Sequence, residues 1–384
     1  MRELLVVDVS DPRALSEPLH SALFEDGPAV LPRPGGAKLI ATAPLEVPDE
    51  VSVVIETSGS TGAPKRVALG APALLASAQA ALAELGGPGQ WLGVLPAHYI
   101  AGLQVVTRSL VGGHPPVWLH PEPFSTVAMA TQFGALVEHA AGAPLYTSMV
   151  PAQLQRILDD VANMPVLDEM MRSFSRILVG GQSLPTDLLE RAQERHFSVT
   201  KTYGSSETSG GCVWDNRPIG DVVVAEIDGR LAVSGSVLAH GYLDNPEKTQ
   251  QSFTDIEGVR WYLSDDAGSV DEDGLVVVRG RLDDVIVSGG VKVALGAIES
   301  VVQKQLGVVD AVVVGAFSDQ WGHVPVVVST RSFDLVATRL AVGKALGPEA
   351  RPDRIVQVAS IPLLASGKPD RLAVAALVNK GTHA

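Results

Sequence analysis

The stretch Thr57-Ser-Gly-Ser-Thr-Gly-Ala-Pro-Lys65 gathers hydroxyl side chains (Thr57, Ser58, Ser60, Thr61), two glycines (Gly59, Gly62) and Lys65 into nine positions. Glycines let a backbone turn its N–H groups toward an anion; hydroxyls add donors, and lysine adds positive charge. A polyphosphate is the ligand such a loop suits. The P-loop NTPase pattern requires Gly-Lys-[Ser/Thr] at its end. Here Pro64 precedes the lysine and Arg66 follows it, so that pattern fails. The plain alternative is a surface loop.

Further stretches carry reactive types. Tyr203-Gly204-Ser-Ser206-Glu207-Thr208 places a carboxylate after a small-residue turn, and Trp261-Tyr-Leu-Ser-Asp265-Asp266-Ala-Gly268 carries an acidic pair. Gly280-Arg281-Leu-Asp283-Asp284 leads into Ser288-Gly289-Gly290, and Gly367-Lys368-Pro-Asp-Arg371 lies near the C-terminus. Each has a bland reading by itself: a solvated loop charge, an exposed turn, a β-bulge.

The elements that must position these residues read as an α/β pattern. Residues 51–57 form a predicted strand and 73–85 a helix, with the phosphate-type loop between them; 91–96 and 175–181 are further strands. Helices are predicted over 99–110, 151–161 and 185–195. This alternation predicts a large, layered α/β N-terminal domain over residues 1–282 with a largely parallel sheet. From about 218 to 282 the pattern changes to strands and tight turns, a β subdomain. Residues 284–384 read as a smaller α+β C-terminal domain with a helix near 333–345, and the boundary falls at 281–284.

The chain has 384 residues, enough for two or three domains. Apolar residues are 46% and charged residues 19%, the balance of a folded globular protein. The net charge of −14 argues against a broad nucleic-acid-binding surface. It does not argue against a nucleotide, which backbone N–H groups can hold. The single cysteine, Cys212, excludes an internal disulfide framework and a multi-cysteine zinc site, and reads as a small buried residue. The first residues lack a signal-peptide core, and there is no apolar run of about 18 residues. A cytoplasmic protein is expected; a homo-oligomer is left open.

The order and spacing of these motifs resemble the adenylate-forming superfamily of acyl-CoA synthetases, adenylation domains and firefly luciferase. The resemblance runs from about Val53 to Arg371. The family signature T-S-G-S-T-G-x-P-K is met without a substitution at 57–65. The resemblance implies a mobile C-terminal domain and the use of ATP, Mg²⁺ and coenzyme A. It implies that Thr57, Ser58, Gly59, Ser60, Thr61, Gly62 and Lys65 hold ATP phosphates. Gly180, Gly181 and Gln182 would lie against adenine, with Tyr203 stacked on it beside Gly204. Ser206, where the family usually has threonine, would contact phosphate, and Glu207 would ligate Mg²⁺. Asp266 would accept hydrogen bonds from the ribose hydroxyls, with Arg281 nearby. Asp265 stands where the family usually has glycine. Asp283 falls at the hinge between the two domains. Lys368 would be the catalytic lysine of adenylation, replaced after a rotation by Gly289 and Gly290 lining a pantetheine tunnel.

Only 56 residues precede Thr57, far fewer than is usual in the family, so part of the N-terminal subdomain is expected to be absent or reduced. That feature, with Leu95-Pro-Ala-His98-Tyr99-Ile-Ala-Gly102, resembles the short actinobacterial o-succinylbenzoate–CoA ligases of menaquinone biosynthesis. His98 lies one position earlier than the family's histidine, and Tyr99 takes that place. Gln104 and Arg108 fall one helical turn apart, and arginine suits a planar carboxylate, so Arg108 is a candidate clamp for the benzoate carboxylate. Its bland reading is a surface or interface arginine. Ser209 and Gly210 would shape the acyl pocket by leaving room for a ring. Two alternatives stay open: a ligase for another aryl or short-chain acid, acting on coenzyme A or a separate carrier, and a nucleotide-binding protein without catalysis.

Overall fold

The structure is a computed structural model that describes residues 1–35, 46–57, 65–119, 124–282, 284–306, 311–318, 320–364 and 369–380. Ser58, Gly59, Ser60, Thr61 and Gly62, together with Asp283 and Lys368, lie outside the described residues.

One sheet of seven strands carries the parallel core. Gln90–Gly93, Val117–Trp118, Leu145–Met149, Phe174–Gly180 and Val199–Ser205 pair in parallel, and Gly210–Trp214 and Arg217–Pro218 extend the edge antiparallel. Its strands read as near-continuous apolar runs because both faces are covered. Along Phe174–Gly180, Ile177 and Val179 enter one core while Leu178 faces the other. Trp91 and Tyr146 belong to the second of these, which is shared with the helices Ala71–Glu84 and Ile100–Gly112.

A six-stranded sheet lies beside it. Arg2–Asp8 pairs in parallel with Ala29–Arg33, and Val53–Thr57 pairs antiparallel with Lys65–Leu69. The predicted strand over 51–57 is therefore present, but the phosphate-type loop does not lead directly into a helix. It closes a hairpin, and the helix starts only at Ala71. Val67 and Leu69 pair in register with Ile55 and Val53, so the partner strand fixes this short run as a strand. The sheet is consequently mixed rather than largely parallel.

The strand-rich stretch after residue 218 forms a wholly antiparallel sheet of Val223–Ile227, Arg230–Ser234, Phe253–Ile256, Val259–Val270 and Val276–Arg281. The final unit is a five-stranded sheet covered on both faces. In Ala311–Ser318, Ala311 and Val313 pack with Ile298, Val302 and Val342 of the helices Leu295–Leu306 and Leu335–Leu346. Val312, Val314 and Ala316 pack on the opposite face with Val374 and Val378 of the helix Arg371–Lys380. One strand thus feeds two cores because successive side chains point to opposite faces.

Candidate functional site

The C-terminal ends of parallel strands are where open α/β sheets hold ligands. Val199–Ser205 ends there, and its last residues run through Tyr203 and Gly204 into the short 3-10 turn Ser206–Thr208. Gly204 is required by close approach: a Cβ there would lie 2.0 Å from the Gly210 carbonyl oxygen. The neighbouring parallel strand ends at Gly180, so Gly181 and Gln182 begin the adjacent loop.

The three sheets of the N-terminal part meet at this edge. The Tyr203 hydroxyl donates to Asp266 Oδ2 at 2.8 Å. Asp266 pairs in register with Arg281 across the antiparallel hairpin, and their charged groups stand 4.0 Å apart. Arg281 also stands 3.5 Å from Asp265, so the acidic residue in the glycine position has a cationic neighbour. Burial and the Asp266 carboxylate push the Tyr203 phenol far above its ordinary range, so it remains a donor.

Glu207 is only 8% exposed and accepts a hydrogen bond on Oε1 from the Tyr242 hydroxyl at 2.8 Å. Tyr242 lies on Gly241–Tyr242, a two-residue strand paired with Lys65–Leu69. Half-buried Lys65 lies within the electrostatic reach of Glu207, Asp265, Lys248 and Arg281. Burial and then Lys248 lower its pKa, while Asp265 and Glu207 oppose the shift. The structure thus brings Lys65, Tyr203, Glu207, Asp266 and Arg281 into one charged cluster, although they span more than 200 positions of chain.

A network on the strands flanking residues 58–64 has no counterpart among the sequence motifs. Glu56 and Arg66 face each other across the hairpin that the loop closes. Glu56 accepts from Arg33 through Nε at 2.9 Å and Nη2 at 2.6 Å, and from Arg66 Nε at 3.1 Å. Arg66 Nη1 reaches Asp244 at 2.8 Å. Burial raises the Glu56 pKa, but the two guanidiniums outweigh it and hold the group below its ordinary value. Opposite charges placed symmetrically about the loop were the available signal, legible only once the segment is read as a hairpin.

The helix Ile100–Gly112 forms the neighbouring wall. Arg108 is 4% exposed, which removes the surface reading. Its guanidinium lies 5.3 Å from the Trp91 ring centre, and its buried Nε has no hydrogen-bond partner among the described residues. Burial lowers its pKa to about 10. Gln104, one turn earlier, does not face outward with it as a free group: its Nε2 donates to the Ser209 carbonyl at 2.7 Å. The Ser209 hydroxyl is committed to the Val237 carbonyl at 2.7 Å, so Ser209 meets this wall through its backbone. Gly210, at φ +107°, lets the chain pass Gln104, whose Cγ would be 3.2 Å from a Cβ there. His98 packs at a tilt against Tyr99 with ring centres 4.1 Å apart, and burial lowers its pKa to about 4. Cys212 is a free, buried thiol pushed up to about 11 by burial.

Gly289 and Gly290 join the strands Val285–Ser288 and Val291–Ala294, both with positive φ, and Trp321 packs over Gly289. No hydrogen bond or ion pair links them to the charged cluster among the described residues. On the C-terminal side Arg371 binds Glu299 at 2.8 Å and Asp284 at 3.3 Å, tying the start of the last helix to the segment after residue 283.

A family model described as "AMP-binding enzyme" matches residues 3–280, and its companion, "AMP-binding enzyme C-terminal domain", matches 297–368. The chain belongs to the AMP-binding enzyme family. Among relatives of this family, a Mycobacterium tuberculosis H37Rv protein named "Probable 2-succinylbenzoate--CoA ligase" is 36% identical over 338 residues, covering 86% of this chain and 85% of its own. A Listeria monocytogenes 2-succinylbenzoate–CoA ligase is 30% identical over 336 residues, covering 83% and 68%. Among solved AMP-binding enzyme structures, the amide bond synthetase McbA from Marinactinospora thermotolerans superposes with a TM-score of 0.73 at 25% identity, covering 98% of this chain and 80% of McbA. The Bacillus subtilis o-succinylbenzoate CoA synthetase, in complex with the acyl-adenylate OSB-AMP, gives 0.73 at 23% identity over 97% and 87%. That second likeness establishes the shared large-plus-small-domain fold. No helix among the described residues is long and apolar enough to cross a membrane.

Proposed function

We propose that this protein is an AMP-forming acid–thiol ligase that converts o-succinylbenzoate, ATP and coenzyme A to o-succinylbenzoyl-CoA, AMP and pyrophosphate. The observation that carries the choice of acid is Arg108, a deeply buried cation over Trp91 with no ion-pair partner among the described residues. An unpaired buried charge is unfavourable unless a ligand completes it. o-Succinylbenzoate has a second carboxylate to offer after its succinyl carboxylate is activated. The relatives at 36% and 30% identity support the same acid.

In the first step a carboxylate oxygen attacks the α-phosphorus of ATP, and the bond to the β-phosphate oxygen breaks as pyrophosphate leaves. Tyr203 and Asp266 would bind the nucleoside, with Arg281 beside Asp266. Lys65, at the exit of the loop 58–64, would face the phosphates together with Ser206. Lys368 would stabilise the charge developing between the carboxylate and α-phosphate. In the second step the coenzyme A sulfur attacks the acyl carbon and AMP departs. The unit after residue 284 would rotate about Asp283 so that Gly289 and Gly290 replace Lys368.

Glu207 fits a Mg²⁺ site. Among the described residues no three His, Cys, Asp or Glu side chains converge as a metal cage. Mg²⁺ does not need one, since it is commonly held by one or two carboxylates plus substrate phosphates and water. When bound, Mg²⁺ supplies charge neutralisation on the phosphate oxygens. We read the protein as a cytoplasmic enzyme of menaquinone biosynthesis.

Mass spectrometry of products tests this reading. The purified protein is given ATP, Mg²⁺, coenzyme A and separately o-succinylbenzoate, benzoate, salicylate, 4-coumarate, or short and medium fatty acids. A thioester formed strongly from o-succinylbenzoate alone is expected. A thioester only from another acid would overturn the substrate, an adenylate without thioester the acceptor, and no adenylate the reaction.

A further inference from the structure

Glu207 is anchored by more than its own turn. Thr208 Oγ1 accepts from the Ser205 N–H at 2.9 Å, and the Glu207 carbonyl accepts from the Ala239 N–H at 2.8 Å. These bonds fix the backbone but leave the side-chain torsions of the glutamate open. The one described hydrogen bond to its carboxylate comes from Tyr242, buried and 2.8 Å away.

Tyr242 is itself held from several sides. Its N–H donates to Thr249 Oγ1 at 2.9 Å. Its ring lies edge-on to Phe253, with centres 6.2 Å apart. Its backbone pairs with Val67, two residues beyond Lys65. The hydroxyl therefore has a fixed place relative to the strand Lys65–Leu69.

We propose that Tyr242 is a positioning residue that locks the Glu207 carboxylate in register with the strand Lys65–Leu69, and so sets the affinity of the nucleotide site for its divalent cation. With the phenol on Oε1, the carboxylate has a single orientation and keeps Oε2 for a metal. Partners of this kind, one step removed from the ion, commonly change metal affinity by about 10- to 100-fold. The inference rests on the reading of Glu207 as the metal-binding carboxylate of an ATP site.

The test uses Tyr242→Phe, which removes one oxygen and keeps the ring. Mn²⁺ serves as the probe, with a non-hydrolysable ATP analogue, and its binding is followed by electron paramagnetic resonance. Mn²⁺ affinity should fall about 10-fold, while AMP binding in excess chelator stays at the wild-type value. In adenylation assays the Mg²⁺ concentration for half-maximal rate should rise by a similar factor, with kcat recovered at saturating Mg²⁺. Adding Tyr242→Phe to Glu207→Gln should change Mn²⁺ affinity no further. Unchanged Mn²⁺ affinity in the folded variant would overturn the proposal. So would equal weakening of AMP binding, or additive losses in the double variant. Failure of the underlying reading looks different: wild-type protein would then bind no Mn²⁺ with the nucleotide analogue.

Discussion

Replacing Arg108 with methionine should move stability and activity in opposite directions. The guanidinium is 4% exposed, sits over Trp91, and has an unpartnered Nε. Burial lowers its pKa to about 10, a differential corresponding to about 3 kcal/mol against the charged form. Methionine removes that penalty and fills much of the same space, but loses a cation–π contact of about 1 kcal/mol. The net gain is about 2 kcal/mol, a rise of a few degrees in Tm. The charge should be present in both folded and unfolded chains below about pH 10, so the gain should be the same at about pH 6 and pH 9. Activity should fall. Removing one partner of a buried charge pair costs about 2–5 kcal/mol, so KM for o-succinylbenzoate should rise on the order of 100-fold with KM for ATP unchanged. Thermal melts and steady-state kinetics read both effects. A lower Tm with unchanged KM for the acid would refute the reasoning and make Arg108 a structural group.

Lys368→Ala should abolish acyl-adenylate formation, measured by pyrophosphate exchange, and spare thioester formation from supplied adenylate; equal loss of both would refute the two-conformation reading. Glu56→Gln strips Arg33 and Arg66 of their shared counter-ion and should destabilise the folded protein by about 3 kcal/mol. Because the folded pKa of Glu56 is lowered, its contribution is full above the unfolded value and is lost as pH falls through the folded one. Denaturant melts should therefore show the deficit at neutral pH and a smaller one in acid. His98 has its folded pKa lowered to about 4, so the unfolded chain binds the extra proton and stability falls as pH drops from about 6.5 toward 4. His98→Gln should flatten that limb of the Tm–pH curve; an unchanged slope would show that His98 does not titrate there.

Several features were legible in the sequence. Apolar periodicity located the helix Ile100–Gly112, the strand Phe174–Gly180 and the strand-rich stretch beyond residue 218. The motif at 57–65 and its companions pointed to the family, which the match over residues 3–280 bears out. The hairpin around the phosphate loop was missed. A five-residue run such as Lys65–Leu69 declares itself a strand only through its partner Val53–Thr57.

What the sequence determined by itself was the family and much of the element order. The tertiary structure alone decided which distant residues meet. Tyr242 reaches Glu207 across 35 positions, and Arg33 reaches Glu56 across 23. It also decided that Arg108 is buried rather than exposed, which no local pattern reports. Contacts and desolvation depend on how three sheets close on one another, and that closure is a property of the whole chain rather than of any window along it.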